Sequence, residues 1–280
     1  MSFRFVNVAG RSALLDADDN WFDLERITGG GVSADPMLAL ADGAALQAAS
    51  AGLSTATPDG TLATAHLGAP VPRPRNCFAV GLNYSNHAAE SGMELPEQPL
   101  VFTKFPSCVV GPDEEVSLSS ATADWEVELV VVIGTPGRHI PADRAWDHIV
   151  GLTIGQDLSD RALQFAAKPP HFDLGKSRDG YGPLGPVMVS TDSVANPDDL
   201  ALTCDVNGRR VQDDRTGNLI FTVPVLVAYL SGIMTLAAGD IIFTGTPAGV
   251  GVSTGTFLRP GDVIVSTIEG IGTLTTHCIA

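Results

Sequence analysis

The chain has 280 residues, 44% hydrophobic and 17% charged, and carries a formal net charge of −16 from 32 acidic and 16 basic residues. These proportions fit a globular protein with a sizeable core. The acidic excess argues against a nucleic-acid partner, which would require basic surface to neutralise phosphates. Cys77, Cys108, Cys204 and Cys278 are dispersed without a C-x-x-C pair, so neither a zinc site nor a disulfide framework is expected. The opening MSFRFVNVAGRSALL has no apolar signal core, and no stretch reaches the roughly 18 apolar residues of a membrane span. A soluble, cytoplasmic protein with no membrane partner is the expectation.

In chain order, RFVNVAGRSALLDADDNWFDLER predicts a small hairpin: strand, Gly turn, strand, Asp-Asn turn, strand. ADPMLALADGAALQAAS adds a short Ala/Leu-rich helix. The Pro-rich LGAPVPRPRN (67–76) reads as a linker, dividing a small N-terminal domain (1–70) from a larger one (71–280). Beyond it, strand-like runs such as CFAVGLN, WEVELVVVIG, HIVGLTIGQD and DIIFTG dominate. The helices are few: NHAAESG, PADRAWDH, SDRALQFAAK and VPVLVAYLSGI. No regular strand–helix alternation is present, so a doubly wound parallel sheet is excluded. The expected class is α+β, mainly β, with curled or sandwiched sheets and short helices at one mouth.

GLNYSNHAAESG places His87 and Glu90 three apart on a short helix, where their side chains can meet. A carboxylate beside an imidazole raises its basicity and fixes its tautomer, as a general base requires. With Gly81 and Gly92 flanking it, the segment is expected to act as a lid. An ordinary surface helix would show the same pair.

DWEVELVVVIG poses a sharper question. Side chains alternate along a strand, so Asp124, Glu126 and Glu128 should share the face continued by Val130 and Val132. Glu126 and Glu128, about 6.6 Å apart by strand rise, could converge on one oxygen-liganded ion. A solvated edge strand would carry the same glutamates, but the apolar run after them speaks for burial, and buried charges need partners or a metal. Asp157, at a strand end in GLTIGQDLSDRALQ, is a candidate third ligand, although a helix cap would use the same residue type. Three carboxylates without a His or Cys cluster favour magnesium, manganese or calcium over zinc.

Basic groups recur beside these strand ends. Arg161 and Gln164 share a helical face, Lys176 lies in LGKSRDGYGPLGP, and Lys104 follows the apolar strand of VFTKFP. In so acidic a chain this recurrence suggests anion binding. FTGTPAGVG has the glycine density of a phosphate loop but no Gly-Lys-Ser/Thr, so an NTPase is excluded. The hydroxyls of Thr244 and Thr246 could cradle a carboxylate instead.

Taken together, GLNYSNHAAESG, FTKFPS, DWEVELVVVIG, GLTIGQDLSDRALQ, LGKSRDGYGPLGP and IIFTGTPAGVG, in this order, resemble the fumarylacetoacetate hydrolase family, which also holds acylpyruvases and oxaloacetate decarboxylases. The resemblance spans about residues 75–280, and the first 70 resemble the small, variable N-terminal domain of bacterial members. It implies a mixed β-sandwich roll and a divalent cation, Mg2+ with Mn2+ or Ca2+ as alternatives, held by Glu126, Glu128 and Asp157. Asp124 is not counted a ligand. By the same resemblance His87 and Glu90 form a catalytic dyad, Lys176 contacts the substrate, and Lys104, Arg161, Gln164 and Thr246 line the pocket. The implied reaction is hydrolytic cleavage of the carbon–carbon bond of an acylpyruvate or related 2,4-diketo acid, releasing pyruvate, in a homodimer. Oxaloacetate decarboxylation and hydroxymuconate-type keto–enol isomerisation are alternatives on the same site. SRDGYG departs from the usual family loop, which leaves the substrate open.

Overall fold

Val127–Ile133 is buried along its whole length, and the arrangement of sheets explains how. A computed structural model, describing residues 2–280, places this strand inside a twelve-stranded sheet. Leu129, Val131 and Ile133 join a core with Leu202, Ile264 and Leu274 of a second, five-stranded sheet. Val130 and Val132 enter a different core with Phe243, Met188, Leu14, Phe22 and Leu46. A strand covered on both faces reads as a continuous apolar run, which is why its alternation is hard to see in sequence. The fold is the expected α+β, mainly β architecture.

On one side of Val127–Ile133 runs antiparallel Ile149–Gln156, followed by Gly182–Val189. On the other lies Ile241–Phe243, then Cys77–Gly81 in parallel and Leu100–Thr103. The early hairpin forms as predicted, Arg4–Val8 with Arg11–Leu15 and then Asn20–Asp23. It does not stand apart. Arg4 and Phe5 pair with Val189 and Met188, so the first strands extend the large sheet.

The Pro-rich stretch also differs from its reading as a linker. Leu67 and Gly68 pair with Val8 and Asn7, and Ala69, Pro70 and Val71 are buried. Proline cannot donate to a ladder, but its ring is apolar and packs well where no donor is needed.

Two further elements are shorter than their patterns suggest. PADRAWDH is a 3-10 helix over Ala142–His148, and SDRALQFAAK yields only the turn Arg161–Gln164. The acidic run is itself broken. Ala123–Asp124 pairs with Ser159–Asp160 in a separate ladder, and the main strand starts again at Val127. Gln156 and Gln212 bridge the break, their side-chain carbonyls accepting from the Glu126 and Val127 N–H groups at 2.9 and 3.0 Å. Among the described residues no helix is long and apolar enough to cross a membrane.

Candidate metal and substrate site

The ladder itself assembles the three acids. Val127 pairs with Gln156 and Glu128 with Gly155, and the Asp157 N–H donates to the Glu126 carbonyl at 2.9 Å. Asp157 therefore leaves its strand where Glu126 enters the next one. Oxygens of Glu126, Glu128 and Asp157 lie within 4.8 Å of one another, and all three residues are buried.

Their environments differ. Burial pushes the Glu126 carboxyl up, but Lys176, Arg161 and His87 outweigh it and bring it down to about 2. Lys176 Nζ donates to Glu126 Oε2 and Arg161 Nη2 to Glu126 Oε1, at 2.7 and 2.6 Å. Glu128 accepts from the Gly245 N–H at 2.7 Å. Its burial, with Asp157 and Glu126 alongside, holds its carboxyl well above the usual range. Gly245 has φ +107°, and a Cβ there would lie 2.7 Å from Asn83 Cβ. Only glycine allows that backbone to approach Glu128 so closely.

Four buried carboxylates, counting Asp124, thus face three buried cations, Lys104, Lys176 and Arg161. The surplus is negative and falls on Glu128. Buried charge of this kind needs compensation, and an all-oxygen donor set suits a hard divalent ion. Lys176 already bridges Glu126 and Asp157, with 2.7 Å to each, which marks the spot as one that accepts positive charge. The residues present therefore fit a divalent cation.

Asp124 has other work. It accepts from the Gly251 and Val252 N–H groups at 2.6 and 3.0 Å and from Arg161 Nε at 2.7 Å. The strand break directs it to Arg161 and to the backbone at Gly251 and Val252. Arg161 also donates to Gln164 Oε1 at 2.9 Å, so these two do meet as the helical spacing predicts.

A cavity of about 350 Å³ opens over this cluster, lined by Glu126, Arg161, Gln164, Lys176, Thr246, His87 and Glu90 together with apolar residues. Thr246 is fixed by donating to the Val127 carbonyl and accepting from Gln212, both at 2.8 Å. Lys104 departs from expectation: it does not line the cavity. It is fully buried and donates to Asp157 Oδ1 at 2.7 Å, to the Tyr181 carbonyl at 3.0 Å and to the Lys176 carbonyl. Its three ammonium hydrogens are taken, and an apolar strand delivered it into the interior rather than to the cavity wall. Burial alone would lower its pKa, but Asp157 outweighs that and raises it.

His87 and Glu90 lie on the helix Ser85–Glu90 as predicted, with Nδ1 and Oε2 3.5 Å apart. Glu90 also accepts from the Gly249 N–H at 3.1 Å and from Ser253 Oγ at 2.7 Å, and Asn86 Nδ2 donates to Asp214 at 2.5 Å. The short helix is thus clasped over the cavity. A hydrogen bond to a charged group contributes about 1.5–3 kcal/mol, so Ser253→Ala should speed amide exchange across residues 85–90 while leaving the central strand protected. Unchanged exchange in that segment would show that the clasp does not hold the lid.

Sequence reading did not single out Gln156, Gln212 and Asn83. Asn83 ties the lid's approach to the core, donating to the Thr244 carbonyl at 2.7 Å and accepting from the Phe221 N–H at 2.8 Å. Gln212 lies 85 positions from its partner Val127, so no local pattern could have revealed it.

Strand-end acids beneath a lidded cavity define a class of small-molecule enzymes with an all-oxygen cation site. The chain belongs to the fumarylacetoacetate hydrolase family: the family described as Fumarylacetoacetate (FAA) hydrolase C-terminal matches residues 76–279. It is 43% identical over 210 residues to the Homo sapiens protein named oxaloacetate tautomerase FAHD2A, mitochondrial, covering 74% of this chain and 67% of that one. An HpcE candidate from Mycobacterium smegmatis superposes with a TM-score of 0.92, at 44% identity over 99% of both chains. Maleylpyruvate hydrolase from Sphingobium sp. SYK-6, solved with manganese(II) and pyruvate, has a TM-score of 0.82 at 27% identity, over 99% of this chain and 98% of that one. The protein is thus an enzyme of this family in which Glu126, Glu128 and Asp157 together could hold a divalent metal ion.

Proposed function

We propose that this enzyme cleaves the carbon–carbon bond of a 2,4-dioxo acid of the acylpyruvate type by hydrolysis, releasing pyruvate. The observation that carries the reading is that one cavity is lined by two unlike sets of groups: Glu126 with Lys176 and Arg161, which border the buried acid cluster, and His87 with Glu90 on the short helix. Glu126, Glu128 and Asp157 would hold a divalent ion, magnesium or manganese by donor chemistry. When bound, that ion supplies Lewis-acid stabilisation of the negative charge that develops as the bond breaks.

The chain's own residues do the rest. His87 Nδ1 is buried and has no hydrogen-bond partner among the described residues, with the Glu90 carboxylate beside it to favour the imidazolium that forms when the ring takes a proton. His87 draws that proton from a water, whose oxygen attacks the distal carbonyl. The bond from that carbon to carbon 3 then breaks, freeing a carboxylic acid, and the pyruvate enolate takes the proton back from the imidazolium. Lys176 and Arg161 bring positive charge to the pyruvyl end, where the leaving enolate carries its charge. Thr246 and Gln164 are rigidly held at the cavity wall and would orient the substrate.

General-base catalysis typically contributes about 10²–10⁴-fold, so His87→Ala should lose at least about a hundredfold in acylpyruvate hydrolysis. The check is steady-state kinetics on acetylpyruvate with magnesium, following pyruvate. Parent-like turnover would rule out the lid-borne base.

A second reading has specific support. The 43% identity to a protein named as an oxaloacetate tautomerase favours proton transfer at carbon 3 of oxaloacetate, without bond cleavage. Such an enzyme would interconvert keto and enol forms, seen as an absorbance change with no pyruvate produced. Running both substrates with the same protein separates the two readings.

A further inference from the structure

Resting on the acylpyruvate reading, we propose that the group beyond the distal carbonyl of the substrate is apolar, and that the cavity discriminates against a second, terminal carboxylate. The wall above the charged floor is built from Leu82, Met93, Phe102, Phe165, Phe172 and Val252. Burial orders these groups from floor to mouth. Lys176 and Arg161 are sealed in the interior, whereas Met93 and Phe165 are each 46% exposed and Val252 is 37% exposed. Phe102 marks the boundary. Its ring face lies 5.3 Å from Lys176 Nζ, and Phe172 packs against it edge to face at 5.5 Å and 75°. Leu82 holds a left-handed backbone at φ +54°, a conformation costly for a branched side chain and most often kept where function requires it.

Charge leads to the same conclusion. Both cations that line the cavity are committed to acids: Lys176 to Glu126 and Asp157, Arg161 to Asp124 and Glu126. The groups on the lid side that can carry charge are Glu90, a carboxylate itself, and His87, whose ring lies beside Glu90 at 3.5 Å and is matched by it when protonated. A substrate with a terminal carboxylate would leave water for an apolar wall beside a like charge, with no free cation among the described lining residues. Burying an unpaired charge is strongly unfavourable, whereas a hydrocarbon tail gains free energy with every methylene it buries. Lys168 and His171 lie on the loop between Phe165 and Phe172, but both are exposed and neither lines the cavity.

The test compares ligands of equal length that need no turnover. Calorimetric titration in excess manganese measures 2-oxohexanoate against 2-oxoadipate, which share the 2-oxo acid head and differ in the terminal group. The expected result is at least about tenfold tighter binding of 2-oxohexanoate, because the two ligands share their methylenes and only 2-oxoadipate must desolvate a terminal carboxylate without a partner. Phe172→Ala or Met93→Ala should narrow that ratio by weakening 2-oxohexanoate, and Phe165→Arg should narrow it by strengthening 2-oxoadipate. Equal or tighter binding of 2-oxoadipate by the parent protein, or no binding of either ligand, overturns the inference. So does a ratio that none of the three variants moves. Failure of the hydrolase reading looks different: 2-oxohexanoate still binds preferentially, yet no acylpyruvate yields pyruvate.

Discussion

Glu128→Gln should abolish metal-dependent turnover and leave a well-folded protein. Glu128 is the acid of the triad for which no cation bond is seen; its carboxylate meets the Gly245 N–H, and an amide oxygen can accept that bond equally well. The substitution removes one of three crowded negative charges and changes almost no volume. Loss of a group that merely orients a ligand costs roughly 10–100-fold in metal affinity, so loss of a charged ligand should cost at least that. Because its burial beside Asp157 and Glu126 disfavours the charged form, the metal-free variant should be as stable as the parent or more so. Manganese titration by calorimetry, with urea denaturation of the metal-free proteins, reads both effects. Parent-like manganese affinity would remove Glu128 from the ligand set. Asp157→Asn is a poorer test, since Asp157 also pairs with Lys104 and Lys176: its loss would leave the buried Lys104 without a carboxylate partner and Lys176 with Glu126 alone.

Lys104→Met should act on stability. A pocket-lining lysine, as the family resemblance implies, would raise KM when removed and leave the denaturation midpoint in place. A lysine sealed behind Asp157 predicts the reverse order of effects. Removing one partner of a buried ion pair typically costs about 3–5 kcal/mol. Lys176 still faces Asp157 and keeps part of its charge compensated, so the lower end, about 3 kcal/mol, is expected. Urea denaturation gives the number directly. An unchanged midpoint together with a raised KM would return Lys104 to the cavity wall.

How far the sequence carried this protein depends on the range of the interactions involved. The early hairpin, the helix bearing His87 and Glu90, and the Arg161–Gln164 contact were all legible, because turn chemistry and i, i+3 spacing are local. Glu126, Glu128 and Asp157 were legible as acids out of place in apolar strands, since burying charge demands a reason. Pairing of neighbouring strands then brought the three together.

What the tertiary structure alone decided is where each group points and what shares it. The break at Trp125–Glu126 sends Asp124 to Arg161 and the Gly251 loop, and it depends on Gln156 and Gln212, whose side chains come from distant strands. Lys104 went behind the site because three acceptors converge there from residues 53 to 77 positions away, which no spacing rule can foresee. The Pro-rich stretch became a packed seam because Arg4–Val8 was there to pair with it. The type of each functional group is chemistry that single residues carry, whereas its neighbours, charge balance and access arise only when distant segments close around it.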